Sequence, residues 1–165
     1  MSALHIRIRP ATLGDEYEIV AMVRELAEYE RAADLAVATP THFRAALFGD
    51  NPAVHALIAE TDSGDVAGFA LWFLNFSTWQ GRHGIHLEDL YVRPQFRGQG
   101  MGHALLSELA SICVENDFPR FEWAVLDWNE PARDVYQHIG AVPLTEWVPY
   151  RISGSALQRL AARLP

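Results

Sequence analysis

The residues with the most chemical potential lie between positions 87 and 102. There the chain reads Leu87-Glu88-Asp89-Leu90-Tyr91-Val92-Arg93-Pro94-Gln95-Phe96-Arg97-Gly98-Gln99-Gly100-Met101-Gly102. The first half has strand composition, and the second sets three glycines at alternate positions ahead of an apolar run at helical spacing. Glycine lets backbone N–H groups approach a ligand closely and adopt positive φ. A helix N-terminus, with its unpaired N–H groups, suits an anion such as a pyrophosphate. A strand–helix turn that needs glycine only for tight packing accounts for the pattern equally well. No Lys-Ser or Lys-Thr pair follows the glycines, so a nucleotide-hydrolysing P-loop does not fit. The G-x-G-x-G spacing is also not that of a dinucleotide-binding turn.

Other candidates are spread along the chain. Glu88 and Asp89 are successive strand residues and should face opposite sides. One of them interrupts an apolar run, where a buried carboxylate needs a partner or a function. Tyr136 shares a helical face with Ala132, Val135 and Ile139, which by periodicity alone is a core position. Glu25, Glu28 and Glu30, with Asp34 nearby, make an acidic patch at the end of a helix. Such a patch is ordinarily a solvated face, yet a helix C-terminus disfavours negative charge, and a cationic ligand would relieve that cost. Trp79 and Trp147 can stack on an alkyl-ammonium chain or simply pack. Cys113 falls with Leu109 and Ile112 on an apolar helix face, with no base nearby in sequence. His83 and His86 lack the further ligands that a metal site needs, so none is expected.

The elements that must position these groups follow from hydropathy period and turn chemistry. Residues 4–9 alternate as a half-buried strand that Pro10 ends. Thr12 can cap a helix carrying Ile19, Met22, Val23 and Leu26 on one face, and a shorter helix over 40–48 follows. Residues 54–60 and 66–74 are predicted strands joined by a turn over 61–65. Residues 79–84 are predicted as loop and 85–93 as strand; the glycine segment then leads into a helix with Leu105, Leu109 and Ile112 inward. A strand over 121–126, a helix opened by Asn129-Glu130-Pro131 and closed by Gly140, strand pieces over 142–152 and a helix over 155–164 complete the order. Helices mixed with a mostly antiparallel run of strands imply an α/β chain of the α+β type, one mixed sheet flanked by helices on both faces.

Composition bounds the rest. The chain has 165 residues, half of them hydrophobic and 21% charged, the make-up of one globular domain spanning 1–165. Lys plus Arg number 13 against 21 Asp plus Glu, a net charge of -8. That balance repels phosphate backbones and anionic lipid and attracts small cations, so nucleic acid and membrane are not expected partners. The longest apolar stretch, 66–74, is far below the ~20 residues that span a bilayer. A lone cysteine and an N-terminus without an apolar signal core suit the cytoplasm.

Arg97-Gly98-Gln99-Gly100-Met101-Gly102 after a strand resembles the acetyl-CoA pyrophosphate loop of the GNAT superfamily of N-acetyltransferases. More narrowly, the chain is similar to the spermidine/spermine (diamine) and thialysine acetyltransferases. The matching pieces in order are residues 8–12, 25–30, 87–89, the glycine loop, Trp128-Asn129-Glu130-Pro131-Ala132, Tyr136, Gly140-Ala141 and 147–152. The resemblance implies a single N-acetyltransferase domain acting by direct transfer to a small cationic amine, a diamine, polyamine or lysine-like amino acid. It implies acetyl-CoA as donor, held by Arg97, Gly98, Gln99, Gly100, Met101 and Gly102, by the strand Leu90, Tyr91 and Val92, and by Asn129. Tyr136 would be the general acid toward the departing thiolate and Glu88 would help remove the amine proton. Glu28, Trp79, Asp89 and Trp147 would line the acceptor pocket, and a homodimer is implied. Ser77 departs from the polyamine acetylases, which tend to carry an acidic residue two positions before the pocket tryptophan; that favours shorter amines. A non-catalytic acyl-CoA sensor and an acetylase of protein amino groups are the alternatives.

Overall fold

Alternating apolar residues, cut by turn residues, build a five-stranded sheet in the computed structural model, which describes residues 6–162. The strands are β1 (Arg7–Pro10), β2 (His55–Glu60), β3 (Val66–Ser77), β4 (Arg82–Val92) and β5 (Phe121–Trp123), side by side in that order. The first four run antiparallel, and β5 joins β4 in parallel. The helices are α1 (Glu16–Tyr29), α2 (Pro40–Phe48), α3 (Met101–Glu115), α4 (Glu130–His138) and α5 (Gly154–Ala161). The chain divides into two compact units, Met1–Ala124 and Val125–Pro165.

In the first unit both faces of the sheet are covered, as the patterning implies. Ile19 and Met22 of α1 and Leu47 of α2 bury with Ala56, Ile58, Phe69, Leu71 and Tyr91 on one face. On the other, α3 buries Met101, Leu105, Leu106, Leu109 and Cys113, and Gly102 in its first turn lies over Leu90 and Val92. Burial raises the proton affinity of the Cys113 thiol, which keeps it an inert packing group. Arg9 ties β1 to its neighbours through Asp15 (2.6 Å) and Glu60 (2.7 Å).

Several boundaries differ from the sequence pattern, each for a local reason. Thr12 does not cap α1: its N–H donates to Asp15 Oδ2 (2.7 Å), which Arg9 also binds, so a turn precedes the helix. β3 runs on to Ser77 and β4 begins at Arg82, so the predicted loop shrinks to residues 78–81. The Ser77 carbonyl accepts from Gly81 N–H (2.8 Å) and its hydroxyl from Gln80 N–H (3.3 Å), closing a tight hairpin. β5 ends at Trp123 instead of residue 126.

In the second unit, the Asn129 side chain accepts from Ala132 N–H (3.4 Å) and caps α4, with Pro131 in its first turn. Gly140, at φ +88°, ends the helix. The inward face is narrower than predicted: Ala132 and Tyr136 are half-buried, whereas Val135 and Ile139 are exposed. The strand pieces predicted over 142–152 do not form. Pro143 and Pro149 remove two ladder donors, and Val142, Leu144, Trp147, Val148 and Tyr150 remain exposed. Leu4 and His5 of the predicted first strand, and residues 163 and 164 of the predicted last helix, lie outside the described residues.

Candidate active site

The glycine segment forms a cradle at the head of α3. Gly98 and Gly100 have φ of +73° and +87°, a region that side chains with a Cβ rarely adopt. A Cβ at Gly98 would meet nothing within 4 Å, and at Gly100 only Ile6 at 3.7 Å, so the conformation and not crowding requires glycine. Gly100 is the N-cap of α3 and no side chain caps that end, which leaves the first N–H groups directed at incoming negative charge. Met101 is buried, so only its backbone faces the loop. Gln99 donates to the Gln95 carbonyl (3.1 Å). Arg97 acts as a brace: its Nε donates to the Val92 carbonyl (2.8 Å), and its guanidinium lies 5.4 Å from the ring centres of both Tyr29 and Tyr91.

β4 carries a bulge at the centre of the site. Leu71 pairs with Asp89 and Trp72 with Leu87, so Glu88 is an extra residue without a β3 partner. The expectation that Glu88 and Asp89 face opposite sides therefore fails, because a bulge resets the period-2 alternation. Asp89 pairs with Leu71 and His86 with Phe73, which puts both on the face covered by α1 and α2. Glu88 Oε2 lies 3.6 Å from His86 Nε2. The phase slip is legible in the chain: apolar residues fall at Ile85 and Leu87, then at Leu90 and Val92. Sequence reasoning did not pick out the bulge, and it weighed His86 only as a metal ligand and not as a neighbour of Glu88. β5 pairs with β4 only over Ile85–Leu87, so residues 88–92, including Leu90, Tyr91 and Val92, have no β5 partner along that edge.

The carboxylates of the patch differ in availability. Burial, then the charges of Glu88 and Glu30, push Asp89 up to about 6. Burial also raises Glu30. Glu25 is engaged by Arg93 Nε (3.2 Å), so it belongs to an ion pair and not to an open pocket wall. Glu28 is exposed near the end of α1. Trp79 is 91% exposed at the tip of the β3–β4 hairpin, and buried Ser77 spends its hydroxyl on that turn. The structure thus brings Glu88, Asp89 and Glu30 together beside the edge that leads to the cradle. Tyr136, Asn129 and Trp147 belong to the second unit: Tyr136 half-buried on α4, Asn129 at its cap, Trp147 exposed beyond it. Among the described residues, no group of three or more His, Cys, Asp or Glu could hold a metal ion.

Comparison with known proteins adds to this geometry. The acetyltransferase (GNAT) family model matches residues 19–141. The chain is 39% identical to the thialysine N-epsilon-acetyltransferase of Sus scrofa, over 96% of this chain and 98% of that one. It is 29% identical to an L-ornithine N5-acetyltransferase of Arabidopsis thaliana, over 93% and 87%. Among solved structures, an integron cassette protein from the mobile metagenome of V. cholerae superposes with a TM-score of 0.78 at 27% identity, covering 94% of this chain and 97% of that one.

Proposed function

The chain belongs to the acetyltransferase (GNAT) family, and from that premise we propose how this N-acetyltransferase selects and acetylates its acceptor. The acceptor is a small aliphatic primary amine, positively charged at neutral pH, of the lysine or diamine type. The observation that carries this reading is the bulged β4, where Glu88 and half-buried Asp89 meet Glu30 next to the glycine cradle. Similarity to enzymes named for thialysine and ornithine supports the same substrate class.

The cradle fits acetyl-CoA: two positive-φ glycines, with open space over Gly98, and an uncapped helix N-terminus suit a pyrophosphate. Gly98, Gln99, Gly100, Met101 and Gly102 present backbone N–H groups to it, with Arg97 bracing the loop. The edge at Leu90, Tyr91 and Val92 offers main-chain hydrogen bonds to an extended arm, and Asn129 lies at the head of the next helix. When bound, acetyl-CoA supplies an acetyl group activated as a thioester. Asp89 and Glu28 attract the ammonium group of the acceptor, and Trp79 and Trp147 contribute apolar and cation–π contact. Glu88 takes the ammonium proton, directly or through water, to give the nucleophilic amine. Tyr136 donates its phenolic proton to the leaving sulfur; a phenol of pKa ~10 can protonate a thiolate whose acid has pKa ~8.5. Holding amine and acyl carbon together contributes several kcal/mol to lowering the barrier.

One domain over 1–165 performs this reaction, in the cytoplasm, as a homodimer. Exposed Trp147, Val148, Tyr150 and Ile152 support an association surface in the second unit. Light scattering at micromolar concentration tests the dimer, and a monomer alone would reject it. The substrate reading is tested by mass spectrometry of acetylated products from a panel of diamines, polyamines, lysine analogues and neutral amines. Turnover is expected with the lysine analogues and diamines, ahead of spermine. Turnover with neutral or anionic amines alone would overturn the cationic pocket.

A further inference from the structure

We infer that His86 is a positioning residue for Glu88 and the exit for the proton that Glu88 collects, a role that rests on the assignment of Glu88 above. Three observations meet at His86. Its Nε2 is 3.6 Å from Glu88 Oε2, slightly beyond direct hydrogen-bond length and within reach of a small rotation or one bridging water. Its ring lies 4.9 Å from that of Phe73, the cross-strand partner, tilted by 33°, so the imidazole packs against an aromatic neighbour. Both side chains are partly exposed, at 31% for His86 and 56% for Glu88, so the pair touches bulk water.

The charged surroundings favour an outward path. Glu122 on β5 is the register partner of His86 and shares its sheet face. That carboxylate is itself held by Asn75 Nδ2 (2.9 Å) and Arg120 Nε (3.3 Å), so it does not compete for the proton as a free base would. On the other side of Glu88 stand Asp89 and, at the C-cap just past α1, Glu30. Those two carboxylates lie toward the acceptor's side of the site, whereas His86 leads away along the sheet. A polar line thus runs from Glu88 through His86 toward Glu122, Asn75 and Arg120.

The proton balance is simple. An N–H bond of the acceptor ammonium breaks and an O–H bond forms on Glu88, leaving a neutral amine. The Glu88 O–H then breaks, directly or across one water, and an N–H forms on His86 Nε2. The imidazolium releases that proton to solvent, which returns Glu88 and His86 to their starting states. Imidazole suits this transfer because its two ring nitrogens let it take a proton at one position and release one at the other. Each acetylation of an ammonium releases one net proton, and this route removes it from the site.

The test uses His86→Gln and His86→Phe, the second keeping a ring against Phe73, with turnover measured on a lysine analogue in millimolar non-imidazole buffer. Both variants are expected to lose about tenfold in kcat, below the usual range for a direct acid–base group. Thermal melting and the calorimetric Kd for acetyl-CoA should be unchanged, and added imidazole should restore His86→Gln turnover. Placed on Glu88→Gln, either His86 substitution should cost nothing further. Full turnover in folded His86 variants while Glu88→Gln is impaired would overturn the relay and leave Glu88 in place. Loss of turnover that imidazole fails to restore, or that adds in full to Glu88→Gln, would also overturn it. Full activity of Glu88→Gln would overturn the assignment of Glu88 and the relay with it.

Discussion

At the scale of single residues the site is a problem of proton affinity. Asp89 is pushed up to about 6 by burial first and then by Glu88 and Glu30, above the ~3.9 of an unfolded chain. The folded protein therefore holds this proton more tightly than the unfolded one. Its contribution to stability is complete below pH ~4 and is lost as pH rises through 6. Asp89→Asn should accordingly raise stability at pH 8 by on the order of 1–3 kcal/mol, a gain that vanishes by pH ~4 in thermal melts. The same substitution should raise the KM for a cationic amine, since the repulsion that costs stability is relieved by bound positive charge. Tyr136→Phe removes only a hydroxyl from a half-buried position. It should lower kcat by roughly 100-fold and leave the Kd for acetyl-CoA unchanged; wild-type turnover would mark Tyr136 as a packing residue. Periodicity placed Tyr136 on an apolar face and could not by itself tell an acid from a core tyrosine. Only the resemblance around Asn129 and Tyr136 suggested the role.

At the scale of elements, the sequence is clearest where one period holds. The fully matched helix α2, Pro40–Phe48, opens with Pro40 at its first position and is capped by Thr39. The 61–65 turn closes with Gly64 at φ +84°. Legibility fails where a period changes phase or where a strand depends on a partner. The bulge at Glu88 breaks alternation by one residue, so reasoning residue by residue put adjacent carboxylates on opposite faces. Residues 142–152 have the aromatic and β-branched content of strands, but a strand exists only when another edge accepts its hydrogen bonds, and two prolines weaken that edge. The glycine loop lies at the legible end, because positive φ at Gly98 and Gly100 leaves few residue choices. Gly100→Asp would add a Cβ at φ +87° and a negative charge at the N-cap of α3. The positive φ should cost about 1–2 kcal/mol, but no clash is added, because the nearest atom to that Cβ is the Ile6 side chain at 3.7 Å, so the fold should survive. The Kd for acetyl-CoA, read by calorimetry, should rise at least tenfold, the scale of losing about 1.4 kcal/mol. Unchanged affinity in the folded variant would remove the cradle from the cofactor site.

At the scale of the whole molecule, charge decides which acceptors arrive. The chain carries a net charge of -8, and its surface field attracts cations from a distance. Within the site the ammonium must then lose a proton: at an amine pKa of ~10.4, about one molecule in a thousand is free base at pH 7.4. Attraction favours the charged form and chemistry needs the neutral one, so a base inside the pocket has to reconcile the two. Glu88 at the bulge can do so, and kcat/KM should rise between pH ~7 and ~9, with Glu88→Gln most impaired at the lower end. Long-range attraction is the separable part. As ionic strength rises from about 0.01 to about 0.15 M, the Debye length shrinks from about 30 to about 8 Å, which screens the field beyond the pocket. For a singly charged lysine analogue, kcat/KM should fall severalfold over that range while kcat holds, because the amine is already bound when the chemistry begins. A diamine carrying two charges should show a steeper fall, and a neutral amine almost none. Equal salt dependence for all three, measured at fixed pH and saturating acetyl-CoA, would show that the negative surface does not select the acceptor.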